Sequence, residues 1–162
     1  METIFQQKKI LILGANAETV PLIKTAKGMG LITYVTDNNP NAYAKNFADF
    51  KVDIDGLDID NLAKFVRNEQ INSVLVGVAD RLVRPYVLLC EKLGFPCYGN
   101  SESIKYFTNK FEFNNLLEKF NLKSVPKYTE LDALNLILDE FPLIVKPADG
   151  NSGQGFSICL SP

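Results

Sequence analysis

Apolar residues fall into two kinds of pattern along the first part of the chain. Short continuous runs, such as Lys9–Leu13, are typical of strands buried on both faces. Between them lie longer segments in which apolar residues recur with helical spacing. The predicted order is strand Lys9–Leu13, helix Glu18–Met29, strand Leu31–Thr36, strand Ala48–Ile54, a helix capped by Asp58, strand Asn72–Val78, helix Arg81–Leu93 ended by Gly94, and strand Phe95–Tyr98. Because strands alternate with helices, we predict an open parallel sheet with helices on both faces.

The pattern changes after Gly99, where helices predominate and a pair of strands comes last. The predicted elements are a helix over Ser101–Phe107, a helix over Asn109–Phe120 capped by Thr108, a strand at Lys127–Tyr128, a helix over Glu130–Asp139, and strands Phe141–Val145 and Phe156–Leu160. Phe111 and Phe113 are expected to face a core. We therefore place a domain boundary near residue 100 of this α/β chain.

Glycine and polar residues follow three of the predicted parallel strands. In open parallel sheets the ligand crevice lies beyond the carboxyl ends of the strands. The predicted rim consists of Gly14, Asn16, Asp37, Asp80 and Arg81, together with Ala15 and Ala79. Only the first glycine of a dinucleotide-binding G-x-G-x-x-G pattern is present, at Gly14, which argues against an NAD or FAD site. Asp80 fits two interpretations equally, a substrate contact or the N-cap of the next helix.

The segment from Phe141 to Ile158 has the clearest chemical pattern. Lys146 ends an apolar strand, and a loop with three glycines follows before apolar residues resume. Glycines let a backbone approach a ligand and turn several N–H groups inward, and a lysine adds a compact positive charge. This arrangement suits a polyphosphate, although the same residue types are common in ordinary hairpin turns. It is not a Walker loop, because no Gly-Lys-Ser or Gly-Lys-Thr is present.

Composition narrows the function classes. A net charge of −2, a pI near 5.2 and scattered basic residues argue against nucleic-acid binding. The chain has no histidine, which removes histidine-based triads and histidine metal sites. Three cysteines without a CxxC pair, and no apolar run of membrane-spanning length, predict a reduced cytoplasmic protein with no membrane partner.

Taken together, the chain resembles the amino-terminal portion of an ATP-grasp enzyme. The motifs are Lys110 within Thr108–Phe111, the turn Asn121–Pro126, and the strand and loop that begin with Phe141–Pro147. The first domain is most similar to those of the carbamoyl-phosphate synthase large chain and biotin carboxylase, through Asp37–Pro40 and Gly77–Arg81. The resemblance implies a Rossmann-like domain over 1–100, followed over 101–162 by the beginning of the α+β nucleotide-binding lobe.

The resemblance also implies a ligand set and a reaction. ATP would be bound by Lys110, Lys146, Asp149, Gly150, Asn151, Ser152, Gly153, Gln154 and Gly155. Enzymes of this family use MgATP to phosphorylate a carboxylate or bicarbonate, and the acyl phosphate is then attacked by an amine or thiol. Their Mg²⁺ ligands and catalytic arginine would lie beyond Pro162, so we expect no catalytic or metal-ligating residue here. The expected protein is an incomplete, inactive part of a carboxylate ligase, with a homodimer as a further expectation.

An alternative remains open at this point. The chain could be a non-catalytic α/β module that binds a nucleotide or small metabolite, or that docks on a partner. Sequence beyond Pro162 separates the two interpretations, because a ligase requires downstream acidic or asparagine metal ligands.

Overall fold

The computed structural model describes residues 5–124, 141–150 and 154–161. The chain divides into two compact units, Met1–Ile104 and Lys105–Pro162. Among the described residues, no helix is both long enough and apolar enough to cross a bilayer.

The first unit is built on a parallel four-stranded sheet. Its strands are β1 (Lys9–Leu13), β2 (Ile32–Thr36), β3 (Phe50–Val52) and β4 (Ser73–Val76), in the order β3-β2-β1-β4. The central strand β1 pairs with β2 on one side and β4 on the other, so that Ile12 lies between Val35 and Leu75. The predicted open parallel sheet is confirmed.

Side chains of β1 alternate between two cores, one on each face of the sheet. Leu11 and Leu13 belong to the core packed by helices α2 (Ile59–Asn68) and α3 (Val83–Leu93). Their neighbours in the strand belong to the core packed by α1 (Val20–Gly28). Because both faces are covered, β1 is apolar at nearly every position, as its continuous run indicated.

Two predicted helix ends are confirmed. The Asp58 carboxylate accepts a hydrogen bond from the N–H of Asn61 at 3.1 Å and caps α2. Gly94 ends α3 with a φ of 69°, a left-handed conformation that glycine adopts without a steric penalty.

The predicted strand at Phe95–Tyr98 is wrong. The N–H of Phe95 bonds back to the carbonyl of Cys90 in α3, and Pro96 has no N–H to donate to a ladder. Phe95 and Cys97 instead pack as irregular chain against the first core. The interpretation of Asp80 as an N-cap is also wrong, because Ala79 holds that position and no side-chain capping bond forms.

Two further helices follow, α4 (Ser101–Thr108) and α5 (Lys110–Lys119). The predicted cap at Thr108 is wrong: Thr108 is the last residue of α4, and the Asn109 side chain accepts from the N–H groups of Phe111 and Glu112. Phe111 and Phe113 were expected to be in a core, yet 38% and 43% of their surfaces are exposed.

The second unit also contains an antiparallel pair, β5 (Leu143–Val145) and β6 (Ser157–Cys159). Ile144 lies opposite Ile158, so the predicted pairing of strands around the Gly-rich loop is confirmed. The predicted strand at Lys127–Tyr128 and the predicted helix at Glu130–Asp139 lie outside the described residues.

Candidate functional site

A cleft of about 150 Å³ opens at the carboxyl ends of the strands in the first unit. It is lined by Gly14, Ala15, Asn16, Thr36, Asp37, Asn38, Asp55, Gly56, Ala79, Arg81 and Leu82. The structure therefore brings together every predicted rim residue except Asp80, which is exposed and not part of the lining. The sequence prediction missed Asp55 and Gly56, although an Asp-Gly pair after a strand is a recognisable turn signal.

Two glycines fit closely around Leu82 below the cleft. Gly14 turns the chain out of β1 with a φ of +88°, and a Cβ there would lie 3.0 Å from Leu82 Cδ1. A Cβ on Gly56 would lie 2.8 Å from Leu82 Cδ2. Any larger residue at either position would have to displace Leu82, so these glycines are set by close packing as well as by turn geometry.

Asp37 joins the ends of two neighbouring strands. One carboxylate oxygen accepts from the N–H of Ala15 at 3.1 Å, and the other accepts from the N–H of Asn39 at 2.9 Å. Its own carbonyl accepts from the fully buried ammonium of Lys45 at 2.7 Å. The carboxylate is therefore held in place by main-chain donors, and one edge remains accessible on the cleft.

The Asn16 side chain also forms structural bonds. Its carbonyl oxygen accepts from the Thr19 hydroxyl at 2.6 Å, and its amide donates to the carbonyl of Val78 at 2.5 Å. One amide hydrogen remains for a ligand. Arg81 differs, because it is exposed and makes no hydrogen bond or ion pair with any other described residue. The cleft thus contains the Arg81 cation, which has no partner among the described residues, and polar groups whose orientation is fixed by hydrogen bonds.

The second unit carries the predicted phosphate loop. Lys146 directly follows β5, is exposed, and has no hydrogen-bond or ion-pair partner in the part of the chain that the structure describes. Asp149, Gly150, Gln154 and Gly155 are described, whereas the predicted contacts Asn151, Ser152 and Gly153 lie outside the described residues.

Pro147 is the packing centre of the described loop. A Cβ on Gly150 would lie 3.0 Å from Pro147 Cβ. Gly155 has a φ of +71°, and a Cβ there would lie 3.0 Å from Pro147 Cγ. Both glycines therefore allow a compact turn that other residues would open.

Lys110 is brought to this loop from the first turn of α5. Its N–H donates to the carbonyl of Ala148 at 2.9 Å. Its ammonium donates to the carbonyls of Pro147 at 3.2 Å, Ala148 at 3.5 Å and Gly150 at 2.5 Å. Lys110 is therefore held against the loop by polar contacts with main-chain carbonyls.

Titratable groups away from these sites include a buried cluster in the first unit. Burial raises the pKa of Cys90 to about 12, and the neighbouring Cys97 thiol adds to the shift. Burial also raises the pKa of Tyr86, whose hydroxyl lies within hydrogen-bonding reach of Cys90. These groups are held neutral inside the core. Among the described residues, no group of three or more Asp, Glu, Cys or His side chains is placed to hold a metal ion.

The relatives in sequence include a formyltransferase and a ligase by name. The chain is 30% identical over 162 residues to the formate-dependent phosphoribosylglycinamide formyltransferase of Prochlorococcus marinus, covering 97% of this chain and 41% of the relative. It is 27% identical over 157 residues to the phosphoribosylamine–glycine ligase of Methanobrevibacter smithii, covering 93% of this chain and 35% of the relative. The chain thus spans about two fifths of the length of the curated relatives it matches. No protein-family model matches it.

Solved structures show the same fold. The ADP complex of an N5-carboxyaminoimidazole ribonucleotide synthetase superposes with a TM-score of 0.77 at 20% identity, covering 98% of this chain and 42% of that one. The sequence and structural relatives are ATP-grasp enzymes, and the match covers their amino-terminal part. The chain is therefore similar in sequence and in fold to the amino-terminal part of ATP-grasp enzymes, with a parallel sheet first and a strand pair around a Gly-rich loop last.

Proposed function

We propose that the chain is the amino-terminal part of an ATP-dependent carboxylate ligase, in which the β5–β6 hairpin binds the polyphosphate of ATP. The observation that carries the proposal is the exposed ammonium of Lys146, which has no partner among the described residues and directly precedes a loop that folds tightly on Pro147. A triphosphate needs positive charge and N–H donors in one place, and this hairpin supplies both.

The loop is suited to phosphate because two of its described main-chain N–H groups are not engaged in hydrogen bonds within the hairpin. The N–H groups of Asp149 and Gly150 form no hydrogen bond with another described residue. Main-chain N–H donors carry partial positive charge and present no bulky side chain, so several can contact one phosphate group. The proposed contacts are Lys110, Lys146, Asp149, Gly150, Gln154 and Gly155, with Asn151, Ser152 and Gly153 in the undescribed part of the loop.

The cleft of the first unit is the proposed position for the acceptor substrate. Its volume of about 150 Å³ is below the range typical of sites that enclose a whole drug-sized ligand. A small anionic group fits it better, with Arg81 as the counter-charge and Asn16 and Gly14 as polar and main-chain neighbours. Asp37 would orient a hydroxyl or amine group of the same substrate, whereas Asp80, outside the lining, is not assigned a contact there.

The names of the relatives indicate the class of acid. One relative is a formate-dependent enzyme, and the biotin carboxylase domain of the Hydrogenobacter thermophilus 2-oxoglutarate carboxylase was solved as a dimer with MgADP and bicarbonate. We therefore infer a small carboxylate or bicarbonate as the phosphoryl acceptor, and a homodimer as the assembly. In this reaction a carboxylate oxygen attacks the γ-phosphorus, the bond to the β,γ-bridging oxygen breaks, and ADP leaves. Mg²⁺ would accompany ATP, but the described residues offer no ligand set, so we assign no metal step to this chain.

The experiment that tests the proposal is a titration of the ¹⁵N-labelled chain with MgATP, followed by NMR. We expect chemical-shift changes concentrated at Lys146, Gly150, Gln154 and Gly155, because weak binding is detectable by this method. A parallel titration with bicarbonate or formate should shift Arg81 and Gly14 instead. If nucleotide leaves the hairpin unchanged, the nucleotide site is wrong; if only the cleft responds, the chain is a metabolite-binding module.

A further inference from the structure

Two of the three free cysteines lie together where the chain leaves α3. Cys90 is fully buried in the last turn of that helix, and Cys97 is partly exposed and packs against the same core. We propose that Cys90 and Cys97 form a peroxide-sensitive modification site, in which Cys97 reacts first and Cys90 then closes a disulfide that ties segment 94–100 to α3. This inference does not depend on the proposed nucleotide site.

The end of α3 turns the chain back along the helix. The N–H of Phe95 donates to the carbonyl of Cys90 at 2.9 Å, which closes the reversal. The returning chain places the ring of Tyr98 with its centroid 4.9 Å from that of Tyr86. Tyr86 lies four residues before Cys90, on the same face of α3. Because both contacts flank Cys97 in the sequence, they hold it beside Cys90.

The contacts of the two sulfur atoms agree with this placement. The Cys97 thiol donates to the carbonyl of Gly99 at 2.7 Å, which orients its side chain. The Cys90 thiol lies within hydrogen-bonding reach of Cys97, and the Tyr86 hydroxyl lies within reach of Cys90. A disulfide needs two cysteines whose side chains already point towards each other. The fold therefore supplies this pair without a rearrangement of either element.

Exposure divides the roles of the two sulfur atoms in the reaction. Hydrogen peroxide reaches the partly exposed Cys97, whereas Cys90 is buried and burial raises its pKa to about 12. The Cys97 thiolate attacks one peroxide oxygen, the O–O bond breaks, and a sulfenic acid and one water form. The Cys90 sulfur then attacks the Cys97 sulfur, the S–O bond breaks, and the Cys90 proton leaves with the hydroxyl as water. Two electrons thus pass from two thiols to one peroxide, which ends as two molecules of water.

The segment tied by the disulfide leads directly into α4. The Glu91 carboxylate in α3 accepts from the N–H of Ser101 at 2.6 Å, and the Asn100 side-chain oxygen accepts from the N–H of Ser103 at 2.7 Å. Both hydrogen bonds are exposed and compete with water. Oxidation would therefore add a covalent link to a connection between α3 and α4 that otherwise depends on exchangeable bonds.

Oxidation of the folded chain with one equivalent of hydrogen peroxide, followed by tryptic mass spectrometry, tests the inference. Lys92 lies between the two cysteines, so trypsin places Cys90 and Cys97 on separate peptides. We expect these two peptides to be joined after oxidation, and the thiols that a maleimide labels after denaturation to fall from three to one. Peptides that stay separate, or Cys97 joined to Cys159 instead, would overturn the inference.

Two exposed aromatic residues provide matched variants that keep all three cysteines. Tyr98→Ala removes the ring that lies against Tyr86, and it should slow the joining of the peptides by about two- to tenfold, the fold-change that corresponds to one aromatic pair. Phe107→Ala removes a ring of α4 that is 76% exposed, and it should leave the rate unchanged. Equal rates in these two variants contradict the placement of the thiols by this packing.

Thermal unfolding gives a second readout on the oxidised chain. The disulfide restricts the unfolded chain, so the unfolding midpoint should rise by about 2 °C or more, and dithiothreitol should reverse the rise. Cys97→Ser cannot form the bond, and its midpoint should not rise under the same treatment. A lower midpoint in the oxidised wild type would mean that the bond distorts the fold, and the inference of two pre-placed thiols would be wrong.

Discussion

The ammonium of Lys45 lies 2.6 Å from the carboxylate of Asp53, although Lys45 is fully buried and 64% of the Asp53 side chain is exposed. The same ammonium donates to the main-chain carbonyl of Asp37 at the end of β2. A buried charge is tolerated only when it is paired and hydrogen-bonded, so these two acceptors are what keep Lys45 inside. The pair fixes the strand end that presents Asp37 to the cleft.

The Lys45–Asp53 ion pair predicts which of two substitutions destabilises the fold more. Asp53→Ala leaves the buried ammonium without a counter-charge, and we expect it to lower the free energy of unfolding by about 3 kcal/mol. Lys45→Met removes the charge itself and leaves only the Asp37 carbonyl unsatisfied, for about 1–2 kcal/mol. Urea denaturation at neutral pH measures both. A larger loss for Lys45→Met than for Asp53→Ala would contradict the assignment.

Lys146→Ala should weaken MgATP binding without affecting the fold. Its ammonium is exposed and unpaired within the described chain, so its removal costs no internal contact. We expect a loss of roughly 1.5–3 kcal/mol of binding free energy, typical of one charge-assisted hydrogen bond. Isothermal titration calorimetry provides the measurement, and Lys119→Ala is the control for a generic loss of positive charge. Equal affinities of wild type and Lys146→Ala would remove the residue from the site.

Gly77→Ala should destabilise the first unit at the end of β4. A Cβ there would lie 2.5 Å from the Thr19 hydroxyl oxygen and 3.0 Å from the Leu13 carbonyl oxygen, and the latter belongs to the backbone. We expect a cost of about 1–3 kcal/mol from the forced displacement. Gly28→Ala is the matched control, since nothing lies within 4 Å of its Cβ position, and it should stabilise α1 by up to about 1 kcal/mol. Thermal unfolding of both variants should therefore shift in opposite directions.

The lowered pKa of the Asp49 carboxyl predicts that the stability of the fold depends on pH. Burial acts to raise the pKa of its carboxyl, but hydrogen bonds from Lys27 and Thr33 outweigh burial and lower the pKa below 3.8. A depressed pKa in the folded state means that the carboxylate contributes stability above 3.8, which is lost as the pH falls through the folded pKa.

The variant Asp49→Asn tests this sign. It should be less stable than wild type at neutral pH, and the difference should shrink as the pH falls below 3.8. Denaturant melts over a pH series give the comparison. A difference that grows on acidification would show that the sign is wrong.

The three cysteines should differ in reactivity. Cys90 is fully buried with a raised pKa, whereas Cys97 and Cys159 are partly exposed. Because the thiolate is the reactive form, we expect a maleimide to label Cys90 last, and only on unfolding. Mass spectrometry of partly labelled protein reports the order, and early labelling of Cys90 in folded protein would contradict the packing of the first core.

Local sequence patterns predicted the elements of the first unit correctly where the spacing of apolar residues matches the faces that are buried. The apolar run at Lys9–Leu13 is continuous because both faces of β1 are covered, and Asp58 and Gly94 carry helix-end signals in their own chemistry. The strand prediction at Phe95–Tyr98 was wrong because its apolar residues pack as irregular chain, which only the tertiary contacts show. The predicted rim residues were found because they follow strands of the parallel sheet. Asp55 and Gly56 were missed, because their place at the cleft depends on the path of the chain after the short strand β3.

The contact of Lys110 with the loop lay beyond sequence reasoning for another reason. The sequence predicted that Phe111 and Phe113 face a core, whereas 38% and 43% of their surfaces are exposed and the Lys110 ammonium reaches main-chain carbonyls distant in sequence. Every residue has a main-chain carbonyl acceptor, so the residue types along the sequence do not indicate which carbonyls the lysine will bond.

Leu82 sets the separation of two cleft walls through its volume alone. Its branched end fills the space that separates the turn after β1 from the turn after β3, with a methyl group directed at each. A smaller aliphatic residue at this position would let the walls approach or water enter, and a larger one would push them apart. The width of this polar cleft thus depends on the size of an apolar side chain in its lining.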